Sequence, residues 1–426
     1  MEMNPSVAER IAIRFEHPDP LVDEPVGVIV SGCKPGSAVS VRASVEVAGA
    51  VHLAAATFDA DETGVVDTSR HPSRAGSYAG VDPFGLWWSG EATAPAATLP
   101  LAPITCRLRV ETRHSAADAI LERRWLAAGV TVTDVDEPGV WGLFARPSGD
   151  GPFPGVVAFG GSSGGLGPAA QWAPLLASHG FATLAVGYFG AAALPRSLVR
   201  IEVEAAERAV AWLARRSDIA PHAVAAMGMS RGSELALLAS ALTEHIGAVV
   251  AFAPSGVSWS GLDTDGPVDA PAWTFRGDAV PYARIGDAAR AKGTGSAGPV
   301  ALRAAFEPAL ENRAEIRAAE IPVERTRGPI LMVSGDADAM WPSTPMGEIV
   351  ERRAAEHGFA HEVTHLRYPD AGHLCAGAPG TPVLTEVRHP LTHGLYTFGG
   401  SRAGNAAARA DSWPRVLAFL EDALTA

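Results

Sequence analysis

Two textures of hydrophobic patterning divide the chain. Over about residues 8–130, short runs alternate apolar and polar positions (VGVIVSG, SAVSVRASVEV, VHLAAATF, ITCRLRVE). Turn-forming stretches such as CKPGS, DADETG and RHPSRAGS separate them. A period of two buries one face of each strand, so these runs predict a small antiparallel β-sandwich of immunoglobulin-like kind. From about residue 138 the apolar runs lengthen and alternate with helical stretches. PGVVAFGG, FATLAVGYF, HAVAAMG, GAVVAFAP, PILMVSG and EVTHLRYP read as strands. Helices are expected near Gln171–His179, Ile201–Arg216, Arg231–Leu242, Pro345–His357 and over DSWPRVLAFLEDAL. Alternation of this length predicts an α/β domain, a mostly parallel sheet with helices on both faces.

The pattern places the domains at 1–137 and 138–426, with a linker near 134–139. It lapses between Pro254 and Gly328, where a Gly-, Pro- and Trp-rich stretch gives way to helical spacing around Val300–Ala318. An insertion over about 255–327, at the carboxyl edge of the sheet, reads as a cap over the site.

At 426 residues, and roughly 100–200 residues per domain, there is enough chain for each part to bury its own core. With 47% apolar and 19% charged residues the composition is that of a globular protein. A formal charge of −13, with Lys34 and Lys292 the only lysines, repels phosphate backbones, so nucleic acid is not expected as a partner. Cys33, Cys106 and Cys375 are widely spaced and odd in number, which fits neither a disulfide framework nor a CxxC metal site. The first residues lack a basic and apolar leader pattern, and no apolar run reaches the ~18–20 residues of a membrane helix. A soluble cytoplasmic protein, neither membrane-bound nor dependent on a metal or other cofactor, is the expectation.

The sequence GMSRG, Gly228–Gly232, fits G-x-S-x-G with Ser230 at its centre. A strand run precedes it and a helical run follows, the context of a nucleophile elbow in an α/β-hydrolase sheet. Flanking glycines let the backbone turn sharply, and the helix that follows points its positive end at the site. Gly161–Gly165 fits the same pattern, but it follows the first well-formed strand of the domain. In that position a loop supplies backbone N–H groups, so Gly160–Gly165 reads as an oxyanion loop and Ser163 not as the nucleophile. The expected donors are the N–H groups of Arg231, Gly161 and Ser162.

An acid and a histidine should follow the serine in that order. GDAD ends the run PILMVS, and YPDAGH ends EVTHLR, so Asp338 and His373 reach the same sheet edge as Ser230. Asp336 is the rival acid; Asp338 is preferred because it lies farther past the strand and has more reach. His361–His365 spells HExxH, but its β-branched context reads as a strand, whereas zinc chemistry needs that motif on a helix. Gly293–Gly298 fits GxGxxG without a preceding strand. Gly165–Ala170 fits GxGxxA without the ribose-binding acid some twenty residues later. Trp87, Trp88, Trp259, Trp273 and Trp341 could line a pocket, though core packing is the expectation for most. Cys375 is read as a packed small residue.

Several linked blocks resemble the type I acyl-CoA thioesterases and bile-acid-CoA:amino-acid N-acyltransferases. They are DEPVGVIVSGCKPGSAVSVRAS, GSYAGVDPFGLWWS, FPGVVAFGGSSGGL, GMSRGSELALLAS, GPILMVSGDADAMW, YPDAGHL and FGGSRAGNAAARADSW, in the family's order along nearly the whole chain. The resemblance implies a serine nucleophile at 230, an acid at 338 and a histidine at 373, with acyl-CoA as substrate. Serine at 230 is similar to the thioesterase members; the N-acyltransferases carry cysteine there. In Asp336–Trp341 the chain departs from the adjacent acids and His-Asn-Trp usual in the family, which leaves Asp336 in contention. Transfer to an amine or alcohol, hydrolysis of another acyl substrate, and a non-enzymatic binding role on a decayed hydrolase are the alternatives.

Overall fold

The protein, a computed structural model, is described over residues 10–47, 50–92, 101–191, 193–286 and 298–425. Its chain forms two compact units, Met1–Trp125 with Ala378–Val383, and Leu126–Gly377 with Leu384–Ala426.

In the first unit, two antiparallel sheets form from the predicted runs. Ala38–Val47 pairs with Ala50–Asp59 and with Ile104–Glu111, which pairs in turn with Ala116–Arg123. Val39, Val41, Ala43 and Val45 are buried while their neighbours face outward, the expected period of two. Arg123 is buried here and donates to the carbonyls of Val22, Glu24 and Gly380. Trp87 lies beneath its guanidinium, 5.2 Å from it, so this tryptophan packs the core.

The second unit is built on one eight-stranded sheet. Its strands are β1 (Thr131–Glu137), β2 (Val140–Arg146), β3 (Phe153–Phe159), β4 (Ala182–Gly187), β5 (Ile219–Met229), β6 (Ala248–Phe252), β7 (Ile330–Gly335) and β8 (Val363–Tyr368). They lie in the order β1-β2-β4-β3-β5-β6-β7-β8, antiparallel up to β4 and parallel from there on. This is the α/β-hydrolase topology, as expected. β3, β4, β6 and β7 are almost wholly buried, which explains their unbroken apolar sequences. The connecting helices are α1 (Ala169–Ser178), α2 (Glu204–Ala214), α3 (Arg231–Leu242), α4 (Ser343–Glu356) and α5 (Arg402–Thr425).

Residues 134–139 are not a linker. They end β1 and turn into β2, with Glu137 opposite Val140. Gly139 sits at φ +79°, and a Cβ there would meet the Arg208 side chain at 2.7 Å. The acidic residues mask a period-two strand that pairs antiparallel at the sheet edge, so the compact units part at Trp125–Leu126, earlier than the boundary expected at 137. α5 likewise begins before the expected Asp411, because the Ala-rich stretch ahead of it is helical.

Between β6 and β7 lies the expected insertion. It opens with the strand pair Ser260–Asp263 and Gly266–Pro271 and closes with the short helices Arg303–Leu310 and Arg313–Ala319. Gly293–Ala297, most of the GxGxxG match, lie outside the described residues.

Candidate active site

Ser230 joins β5 to α3 at φ +57° and ψ −123°, a conformation disfavoured for any residue with a Cβ. The flanking glycines make it possible. A Cβ at Gly228 would stand 2.1 Å from the Gly232 carbonyl oxygen, and one at Gly232 would stand 2.2 Å from that of Gly160. Ser230 N–H donates to Phe252 O at the end of β6, and Ser233 Oγ donates to Ser230 O, so both faces of the turn are tied down. α3 is buried nearly all round, so packing on every side holds the turn in place.

Asp338 follows β7 and His373 follows β8. Asp338 Oδ2 lies 2.8 Å from His373 Nδ1, and both side chains are buried. The other Asp338 oxygen accepts the N–H groups of Met340 at 2.8 Å and Trp341 at 3.2 Å. These bonds fix the orientation of the carboxylate. Asp336 is engaged elsewhere: its Oδ1 accepts the Thr344 hydroxyl, which meets Ser334 Oγ, itself bonded to His365 Nε2. His365, from the HExxH match, sits on strand β8 with its Nδ1 facing Glu351.

The loop after β3 approaches the elbow closely. A Cβ built on Gly161 would be 3.3 Å from Ser230 Cβ and 3.8 Å from its Oγ. Tyr188, at the end of β4, donates its hydroxyl to the carbonyls of Gly160 at 2.7 Å and Gly161 at 3.2 Å. In a trans peptide the N–H points opposite to the carbonyl, so the N–H groups of Gly161 and Ser162 are turned away from Tyr188. Tyr188 carries no sequence motif, since it reads as one more apolar strand residue.

Arg231 and Glu234 form a buried ion pair on the first turn of α3, at 2.8 Å. Glu234 Oε1 also accepts Trp259 N–H and Trp273 Nε1–H, each at 2.9 Å, and Arg231 donates to the carbonyls of Trp259 and Ser260. Burial pushes the Glu234 carboxyl up to about 6, against the pull of Arg231. The network ties the start of the insertion to the elbow helix and places Trp259 and Trp273 as core residues.

Ser230, His373, Ser162 and Arg231 line one cavity of about 70 Å³. Its apolar wall comes from Leu262, Ile285, Leu302 and Phe306 of the insertion, with Met340 and Trp341. Phe306 is wedged edge-on between Trp259 and Trp341, and Trp341 stands edge-on to His373. Of the five tryptophans singled out, Trp341 is the one on this wall. Ser162 rather than Ser163 faces the cavity. Burial, with the charge of Asp338 adding to it, pushes the Cys375 thiol up to about 12, and the residue is packed against Val333 O.

The opposite wall was not foreseen. It comes from the hairpin Glu386–Arg388 and Leu395–Thr397, whose turn presents His389 and Thr392, and whose second strand presents Tyr396, to the cavity. His389 Nε2 lies 3.0 Å from Ser162 Oγ. The only hint in the sequence is a His-Pro and His-Gly turn between short β-prone runs.

Residues 23–137 match the family model described as the acyl-CoA thioester hydrolase/BAAT N-terminal region, and residues 201–426 match BAAT/acyl-CoA thioester hydrolase C terminal. The chain is 29% identical over 412 residues to the peroxisomal succinyl-coenzyme A thioesterase of Mus musculus, covering 93% of each. It is 30% identical over 415 residues to the mitochondrial acyl-coenzyme A thioesterase 2 of Homo sapiens, covering 93% of this chain and 81% of that one. A dienelactone hydrolase-like promiscuous phosphotriesterase from metagenomic libraries superposes with a TM-score of 0.42 at 16% identity, over 70% of this chain and 99% of that one. No helix among the described residues is long and apolar enough to cross a membrane.

Proposed function

Since the chain belongs to the acyl-CoA thioester hydrolase/BAAT family, we propose that it hydrolyses acyl-CoA thioesters to the free acid and CoA through an acyl-enzyme on Ser230. The observation that carries this reading is one cavity shared by a strained elbow serine and a buried histidine bonded to a buried carboxylate. Asp338 holds His373 with Nδ1 protonated, which leaves Nε2 free to accept a proton. His373 takes the Ser230 proton as Oγ attacks the thioester carbonyl. The tetrahedral intermediate collapses, the C–S bond breaks, and the sulfur leaves with that proton as CoA thiol. Water then attacks the ester, His373 again taking and returning a proton.

The oxyanion would face the N–H groups of Arg231, Gly161 and Ser162. The start of α3 supports the first, because opening N–H groups have no partner within their helix. The Tyr188 hydrogen bonds support the other two. One such donor is typically worth ~10²–10³ in rate. Serine at 230 favours hydrolysis over transfer to an amine, since the oxygen ester it forms is aminolysed less readily than a thioester. Three buried free thiols fit a reducing compartment, in line with a cytoplasmic setting.

The test is intact-mass detection of an acyl adduct across a graded acyl-CoA series, with release of CoA thiol followed in parallel. The expected result is a transient adduct on Ser230, with turnover abolished and the fold intact in Ser230→Ala. Turnover retained in that variant would remove the reading.

A further inference from the structure

The hairpin wall of the cavity carries a hydrogen bond whose direction the surrounding backbone fixes. His389 Nδ1 faces the backbone N–H groups of Leu391 and Thr392, both at 3.3 Å. Backbone N–H groups only donate, so Nδ1 is the unprotonated, accepting nitrogen and the ring hydrogen sits on Nε2. Burial supports the neutral ring, pushing it down to about 4. The contact with Ser162 therefore has a direction: Nε2–H donates and Ser162 Oγ accepts, at 3.0 Å. Among the described residues nothing accepts the Ser162 hydroxyl proton. That hydroxyl lines the same cavity as Ser230 and follows directly on Gly161, the residue packed against the Ser230 side chain. A hydroxyl that accepts one hydrogen bond becomes a stronger donor of another.

We propose that Ser162, oriented by His389, adds a side-chain donor to the backbone groups that receive the carbonyl oxygen of the substrate. Ser162 would touch the reacting group, and His389 is a positioning residue acting through it. The inference rests on Ser230 being the nucleophile.

The experiment compares Ser162→Ala, Ser162→Thr, His389→Phe and His389→Gln with the wild type, each verified as folded by circular dichroism and melting. Two rates are read, steady-state hydrolysis of an acyl-CoA and phosphonylation of Ser230 by a fluorophosphonate, whose P=O oxygen occupies the same donors. Ser162→Ala should lower kcat by roughly 10²-fold, with KM within a few-fold of wild type, and should slow phosphonylation in parallel. Ser162→Thr keeps the hydroxyl and should keep most of the rate. His389→Phe should lower kcat by about tenfold, and His389→Gln, which can still donate, should restore part of it.

Rates for Ser162→Ala within twofold of wild type, or a loss confined to KM, overturn the inference. A wild type inert toward acyl-CoA, but phosphonylated more slowly once Ser162 is alanine, would sink the thioesterase reading and uphold the donor. A Ser230 that fails to react with the probe in the wild type would sink both.

Discussion

Asp338 Oδ2 and His373 Nδ1 stand 2.8 Å apart, while Asp336, two residues earlier in the same loop, gives its carboxylate to the Thr344 hydroxyl. The two acids are chemically alike and differ in what holds them. Asp338→Asn should therefore lower kcat by about 10³–10⁴, because an amide in that place can impose the wrong imidazole tautomer. Asp336→Asn should cost no more than a few-fold, with a small loss of stability from the Thr344 contact. Steady-state kinetics on the two variants decide it, and the reverse order would move the acid to 336.

Gly232 and Gly228 are fixed by backbone oxygens, which cannot rotate away as a side chain can. Gly232→Ala should push the loop at Gly160 away from the elbow. Overpacking of this kind costs about 3 kcal/mol, and a displacement of about 1 Å near the reacting groups costs about 10²-fold in rate. Gly165→Ala is the control. That residue sits at φ +59° with open space around it, so only conformational strain of about 1 kcal/mol is expected. Urea unfolding and kcat of the two variants check both halves of this expectation.

How these residues could be read in advance depends on how local their constraint is. Ser230 was legible because the turn demands glycine two residues before and after it, a signature contained in five positions. The parallel sheet was legible because buried strands carry unbroken apolar runs. Asp338 and Asp336 were harder to separate, since their difference lies in what the fold brings to each, His373 from beyond β8 to one and Thr344 at the start of α4 to the other. His389 was invisible for the same reason: its partner Ser162 lies in another part of the chain, and the turn carrying it has no motif. β1 was mistaken for part of a linker because its acidic, outward-facing positions conceal the alternation. Tyr188 and Glu234 were missed because each is a polar group within an otherwise apolar run.

Acid should unfold the protein partly through His389. Burial is the main cause that holds its folded value near 4, and the neighbouring His393 adds to it. A free histidine titrates near 6.5, so the unfolded chain binds a proton that the folded one excludes between those values. Stability from this group is complete above about pH 6.5 and falls as pH drops toward 4, by roughly 3 kcal/mol. Glu234 works in the opposite sense. Its folded value of about 6 exceeds that of a free carboxylate, so its contribution is best below about pH 4.5 and declines as pH rises through 6, by roughly 2 kcal/mol. The two oppose each other over most of the window. Chemical denaturation of wild type and His389→Gln from pH 4 to 8 isolates the first. The variant should lose less stability on the acid side, and parallel curves would contradict the assignment.

Phe306 lines the cavity from the insertion side. Its ring centroid is 5.0 Å from that of Trp259 and 5.9 Å from that of Trp341, and both tryptophans are buried. The phenyl ring is thus the part of the apolar wall that can be removed without dismantling the elbow, because its helix, Arg303–Leu310, lies in the insertion and not in the sheet. Removing the ring leaves more room for an acyl chain on that side of the cavity. Phe306→Ala should open it toward the insertion and raise kcat/KM for a longer acyl-CoA relative to a short one by about tenfold. Each methylene that finds apolar surroundings contributes about 0.8 kcal/mol, so two or so suffice for that ratio. The same change should cost about 3–5 kcal/mol of stability, so the assay belongs at a temperature where melting curves show the variant folded. An unchanged preference across a graded acyl series in the folded variant would mean that the acyl chain leaves the cavity by another side.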